Sequence, residues 1–217
     1  MATLTTSFNI VVKTYEQKWD DVISNIRSGG GIDVGTVFPM KLTDGTDIKM
    51  VAVDVDTNGD VAFGGAMSEE MAFDSNNNPV TFHNSTLGNY LNGTFYSMIP
   101  QNIKNAIKAK QTKYLKWDFK TLESSVQDNI WIPTRENVFG AVNETWGSIP
   151  RNDDKQLSFY DGTRTIINKV WWLATPNNTA GTGKYNEYVM GIQGNTSSYA
   201  LINAKRTVCP HFIIGAQ

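Results

Sequence analysis

The stretch that most limits how this chain can fold is Val170 to Pro176, which reads Val-Trp-Trp-Leu-Ala-Thr-Pro. From Val170 to Leu173 it is apolar without interruption, too short for a helix, and a proline stops it. That combination describes a strand buried on both faces. Successive strand residues point to opposite sides of a sheet, so burying Trp171 and Trp172 together takes protein packed against each face. Downstream, Glu187 to Gln193 and Ser198 to Asn203 are strand-like runs joined at Gly194-Asn195, a hairpin signal. Thr207 to Ile214 is expected as the final strand, with Pro210 placing that part at an edge or a bulge. Between the apolar blocks lies an insert rich in Asn, Thr, Ser, Gly and Tyr.

A chain of 217 residues suits one domain with a substantial core. Its 40% hydrophobic and 18% charged content excludes a disordered polymer. A formal net charge of -2 supplies no basic field, which argues against nucleic-acid binding by phosphate neutralisation. One cysteine excludes an intrachain disulfide and a cysteine-built zinc site. No apolar run approaches the length that spans a bilayer. Met1 to Ile10 lacks the basic-then-apolar order of a secretion signal, so synthesis in a cytoplasm is expected.

Upstream, Phe8, Ile10 and Val12 alternate with Asn9, Val11 and Lys13 in a strand pattern. Residues 1–14 are set apart as an N-terminal strand or assembly arm and 15–217 as a single domain. Tyr15 to Arg27 reads as a helix with Trp19, Val22, Ile23 and Ile26 on one stripe, ended by Ser28-Gly29-Gly30-Gly31. Val34 to Leu42 and Ile48 to Val55 read as strands turned at Asp44-Gly45. Asp54, Asp56 and Asn58 have the spacing that opens an EF-hand calcium loop. The twelfth position is Gly65 instead of Glu and the flanks are strand-like, so a hairpin turned at Asn58-Gly59 is preferred. Asp74 to Pro79 reads as a loop.

Thr86 to Ile99 is expected as a second helix carrying Leu87, Tyr90, Leu91, Phe95 and Met98 on one side. Ser85 or Thr86 caps it, and Gly88 and Gly93 weaken it. Pro100 ends that helix and opens a further helical turn in which Ile103 and Ile107 pair. Lys104, Lys108, Lys110, Lys113, Lys116 and Lys120 are expected as the solvated side of a segment that sends Tyr114, Trp117 and Phe119 into the core. That reading is preferred to a stacking platform for single-stranded nucleic acid. Ile130 to Pro133 reads as a short buried strand, followed by a helix capped by Thr134 with Asn137 three residues on.

None of these segments assembles an enzyme's machinery. His83 sits in a polar loop with no acidic residue at ligand spacing. His211 shares a strand face with Cys209 and Ile213, which suits a core or interface histidine. Asp153-Asp154 falls in the long polar connection Asn143 to Tyr160. Neither catalysis nor a bound metal or cofactor is expected.

Several blocks occur in a recognisable order: Lys18-Trp19-Asp20-Asp21-Val22, Gly29-Gly30-Gly31, Asp33-Val34-Gly35, Ser85 to Asn92 and Trp131 to Gly140. Trp-Trp-Leu-x-x-Pro, the polar insert and Val-x-Pro-x-Phe-Ile complete the series. Together they resemble a C-type-lectin-like family of mostly uncharacterised domains in bacteriophage virion proteins and proteins of gut bacteria. The resemblance implies an α+β, C-type-lectin-like fold with mixed and antiparallel sheets, two main helices and long loops. In such folds the first and last strands pair, which would set the N-terminal segment against Thr207 to Ile214. The resemblance also implies a place in a virion made in the bacterial host cytoplasm, other virion proteins as partners, and a homo-oligomer, by common practice a trimer. Cys209 stands where relatives usually have Arg and His211 where they have a small residue, so no binding role is carried onto that segment.

The candidate binding surface is Asn177 to Tyr188 together with Asn195 to Tyr199. Tyr185, Tyr188 and Tyr199 offer rigid amphipathic area; Asn177, Asn178, Asn186, Asn195, Ser197 and Ser198 offer adaptable hydrogen bonding. Antibody paratopes use the same residue economy, and sugars too are met by aromatic faces and planar amides. The expected function is recognition of a host-surface glycan or protein. The alternative is a purely structural capsid-decoration, head-fibre or tail subunit whose loops contact neighbours.

Overall fold

The computed structural model describes residues 13–78, 80–118, 121–140, 155–161, 166–177, 185–189 and 197–216. The N-terminal strand at Phe8 to Val12, Phe119, Lys120, Asp153-Asp154, Asn178 and Asn195 lie outside them. The chain opens with helix α1 (Tyr15–Arg27), whose N-terminus is closed by a reciprocal pair: Thr14 accepts from the Gln17 N–H while the Gln17 side chain accepts from the Thr14 N–H. Its end is a Schellman turn. Gly29, at φ +77°, and Gly30 donate to the carbonyls of Ile26 and Asn25.

Three antiparallel strands follow, β1 (Val37–Lys41), β2 (Asp47–Val55) and β3 (Val61–Gly65), and then the short β4 (Glu70–Ala72). Trp19, Val22, Ile23 and Ile26 are buried, at roughly 1.5–3 kcal/mol each. Trp19 packs against Phe38, Phe63 and Phe212 and donates its indole N–H to Pro39 O. The expected helix-on-sheet packing is found.

The second helical stretch is continuous but irregular: α2 (Thr86–Tyr90), a π turn (Leu91–Phe95) and α3 (Tyr96–Met98). Ser85 caps it by accepting from Gly88 N–H. Gly88 has a positive reason to be glycine. A Cβ there would stand 2.0 Å from the carbonyl oxygen of Phe82, so the residue that weakens the helix is also what lets the preceding turn approach it. Helix α4 (Gln101–Lys104) buries Ile103, but Ile107 is not its partner on a helix. Ile107 belongs to β5 (Ile107–Lys108), because the last strand offers it a ladder.

The chain continues through β6 (Lys110–Thr112), β7 (Val126–Asp128), α5 (Arg135–Phe139) and then β8 (Trp171–Asn177), β9 (Tyr185–Val189), β10 (Ser197–Leu201), β11 (Lys205–Thr207) and β12 (His211–Ile214). One sheet has the order β1-β2-β3-β12-β5; the other has β10-β9-β8-β11-β4; β6 and β7 form a separate ribbon. All pairings are antiparallel except that of β11 with β8. The fold is α+β.

Trp171, Trp172 and Leu173 are fully buried. Tyr160 lies beside Trp171 and Phe73 beside Trp172. The strand is interrupted, however. A bulge between Trp172 and Pro176 takes it out of register with β9. The bulged residues dock elsewhere, Ala174 N–H donating to Pro133 O and Thr175 Oγ1 accepting from Arg135 N–H.

One expectation about the C-terminus is corrected. Thr207 to Ile214 is not one strand, and Pro210 is at neither an edge nor a bulge within one. Residues 208–210 carry the chain from the second sheet into the first, wholly buried. The N-terminal segment expected to pair with this stretch lies outside the described residues. Strand β12 is flanked by β3 on one side and by β5 and Trp131 on the other, and β11 by β4 and β8.

His211 stands opposite Gly64 in the ladder. A Cβ on Gly64 would lie 2.4 Å from His211 Nε2 and 2.6 Å from Ile166 Cδ1. Gly64→Ala is therefore expected to lower stability by about 1–3 kcal/mol, read as a reduced urea midpoint with an unchanged slope.

Candidate functional site

The predicted surface falls on one end of the second sheet. The register sets Ser197 opposite Val189, Tyr199 opposite Glu187 and Leu201 opposite Tyr185, while Asn177 also faces Tyr185 across β8. Ser198 pairs with Tyr188 and Ala200 with Asn186. Opposed residues share a face. Asn177, Tyr185, Ser197 and Tyr199 thus occupy positions of one face, with Leu201, and Asn186 and Tyr188 positions of the other, with the buried Ala200. Among the described residues, strand β10 is the edge of the sheet. Tyr199 and Leu201, two residues apart, are 40% and 43% exposed. Large exposed apolar side chains on an edge strand are an exception that proteins in water usually avoid. The expected hairpin is present as the β9–β10 ladder, and its connecting residues lie outside the described ones.

Sequence spacing missed a second polar centre. Asp128, almost fully buried at the end of β7, accepts from Tyr114 OH at 3.0 Å and from His83 Nδ1 at 2.8 Å. Asn92 reaches the same carboxylate at 3.4 Å and clamps both the N–H and the C=O of Ile130. Beside it, Glu123 accepts from Thr81 through Oε2, while its buried Oε1 has no hydrogen-bond partner among the described residues. Burial pushes the Glu123 carboxyl up, opposed by the Thr81 hydrogen bond and the nearby His83. An imidazole held at Nδ1 by a buried carboxylate is oriented as a general base would be. No hydroxyl or thiol among the described residues bonds its other nitrogen, and no group of three His, Cys, Asp or Glu there is placed to hold a metal. As built, the cluster fastens the Phe82–Asn84 turn onto β7. His83 and Asp128 are 45 residues apart, beyond the reach of any local motif.

A family profile described as "Domain of unknown function (DUF6273)" matches residues 49–216, from β2 to the end of β12. The chain belongs to the DUF6273 family. No curated protein and no solved structure matches it.

Within this DUF6273 chain, the residues with calcium-loop spacing form the preferred hairpin, with Gly59 at φ +85°. Their carboxylates serve different partners. Asp54 accepts from the Ser158 N–H and hydroxyl and pairs with Lys155; Asp56 accepts from the Asn58 and Asp60 N–H groups. Asp60 takes Lys108 and the Ala216 N–H. Lys108 is therefore not a merely solvated cation, nor is Lys110, whose ammonium lies 4.2 Å from the Trp131 ring centre. Tyr114 is buried, and Trp117 donates to Val80 O, as the core reading of that segment requires.

His211 is fully buried. Its Nδ1 lies 2.8 Å from Cys209 O. A carbonyl only accepts, so Nδ1 carries the proton and Nε2 accepts from Tyr160 OH at 2.9 Å. Burial lowers its pKa to about 3 from 6.5 and pushes the Cys209 thiol far up. Both groups are chemically quiet.

Two predictions follow from these contacts. Asp128→Asn turns a three-way acceptor into a group that also carries donors, and should cost about 1–3 kcal/mol by urea denaturation. For His211, the unfolded chain binds a proton below pH 6.5 that the folded chain refuses until about pH 3. Stability is thus full above 6.5 and falls with decreasing pH across that window, by up to about 1.4 kcal/mol per unit. Between pH 7 and pH 5 the loss should reach about 2 kcal/mol, and a His211→Gln variant should lack that contribution.

Proposed function

We propose that this chain is a C-type-lectin-like recognition module of a phage particle or phage-derived assembly, and that it engages a host-surface glycan or protein through the outer edge of its second sheet. One observation carries the reading. The edge strand that closes the Asn-, Ser- and Tyr-rich segment leaves Tyr199 and Leu201 exposed side by side, a rigid amphipathic anchor beside polar groups. The ordered resemblance of the sequence motifs supplies the virion context; fold likeness by itself does not assign a ligand.

A second reading has its own support. The opposite edge strand, β1, also exposes an apolar residue, Val37 at 52%. Strands at the edges of both sheets among the described residues suit strand addition between subunits, as in a structural virion component.

Tyr199→Ala with Leu201→Ser should reduce binding to host cells or arrayed surface glycans at least about tenfold. Being exposed, both changes should leave stability within about 0.5 kcal/mol. Failure of the unaltered protein to bind cells or glycans, combined with concentration-dependent self-association that the same double variant abolishes, would instead favour the structural reading.

A further inference from the structure

A cavity of about 110 Å³ lies between the β1–β2 turn, the β3–β4 connection and the second helical stretch. Its apolar floor includes Leu42, Ile48 and Phe95, all buried. Tyr90, Met67 and Met98, half-buried, form more of the wall, and Asp44, Asp47 and Glu69 bring three carboxylates to the lining. No Lys, Arg or His lines it. Asp44 accepts from the Thr46 N–H. Asp47 and Glu69 make no side-chain hydrogen bond or ion pair among the described residues, although Lys41 stands opposite Asp47 in the β1–β2 ladder. After burial, Glu69 and then Asp44 are what push the Tyr90 hydroxyl up, so a negative potential reaches the wall itself.

Each plausible occupant meets this lining differently. An anion is repelled by three carboxylates with no cation among the lining residues. A divalent metal needs a shell of oxygens, whereas half of this wall is hydrocarbon and thioether. A whole sugar or drug-sized molecule needs several hundred Å³, roughly 300–1,000. A compact organic cation suits all three features, because its methyl or methylene groups are desolvated on the floor. Its charge is attracted by the carboxylates, and soft aromatic and thioether groups tolerate it at close range.

We propose that this cavity binds an alkylammonium group, a trimethylammonium or primary ammonium headgroup on a short aliphatic stem. The site is separate from the β10 edge and does not depend on it.

The test is titration of the full chain with choline, following the methyl resonances of Met67 and Met98. The neutral isostere 3,3-dimethylbutan-1-ol and n-butylammonium are run in parallel. Choline or n-butylammonium should shift both methyl signals, and the isostere should bind at least about tenfold more weakly. Asp47→Asn with Glu69→Gln, both at exposed positions, should weaken cation binding about tenfold and leave the isostere unchanged. Tyr90→Leu should abolish binding that Tyr90→Phe retains. Equal binding of cation and isostere, indifference to the double carboxylate change, or no shift with either cation up to about 50 mM would overturn the proposal.

Discussion

The fold depends on how three residues are carried through its interior. At Val208, Cys209 and Pro210 the chain leaves one sheet and joins the other without reaching solvent, and each buried carbonyl there must find a donor. Each does. Met67 N–H takes the carbonyl of Val208, the His211 imidazole takes that of Cys209, and Gly65 N–H takes that of Pro210. Proline at the last of the three brings no N–H that would need an acceptor. His211 is thus a structural donor whose tautomer is fixed by the crossing, and Gly64 is bare so that the ring can sit there. Through this ribbon the antiparallel partners β3–β4 and β12–β11 bind the two sheets into one body.

Much of this architecture is legible in the sequence where the signal is local. The stripe of Trp19, Val22, Ile23 and Ile26, the glycine stop at Gly29 and the turns at Asp44-Gly45 and Asn58-Gly59 all behave as their spacing says. The adjacent indoles at 171 and 172 are buried on both sides as their setting requires. What escapes local reading is decided by partners far along the chain. Ile107 follows a helical turn in spacing but is captured by Ile214. Pro210 follows the rule for edges, yet it stands at a crossing between sheets. The Asp128 cluster joins residues from four separated segments, and neither His83 nor Glu123 carries any mark of it.

The proposed recognition surface is legible only in part. The strand that ends in Tyr199 and Leu201 is announced by alternation and by the preceding polar insert. That the same ladder sorts the chosen residues onto two faces follows from register, which composition does not encode. Rigidity comes from the buried side of the sheet, where Trp172 donates to Met71 O and packs on Phe73. The exposed edge therefore rests on a frame that has little freedom to shift.

The single thiol has a consequence of its own. Cys209 lies at the midpoint of the crossing, shut off from solvent and held in its unreactive form. A thiol reagent can meet it only when the two sheets part, so the rate of its modification clocks that opening. The molecule carries, at the place where its halves are joined, a built-in gauge of how often the joint gives way.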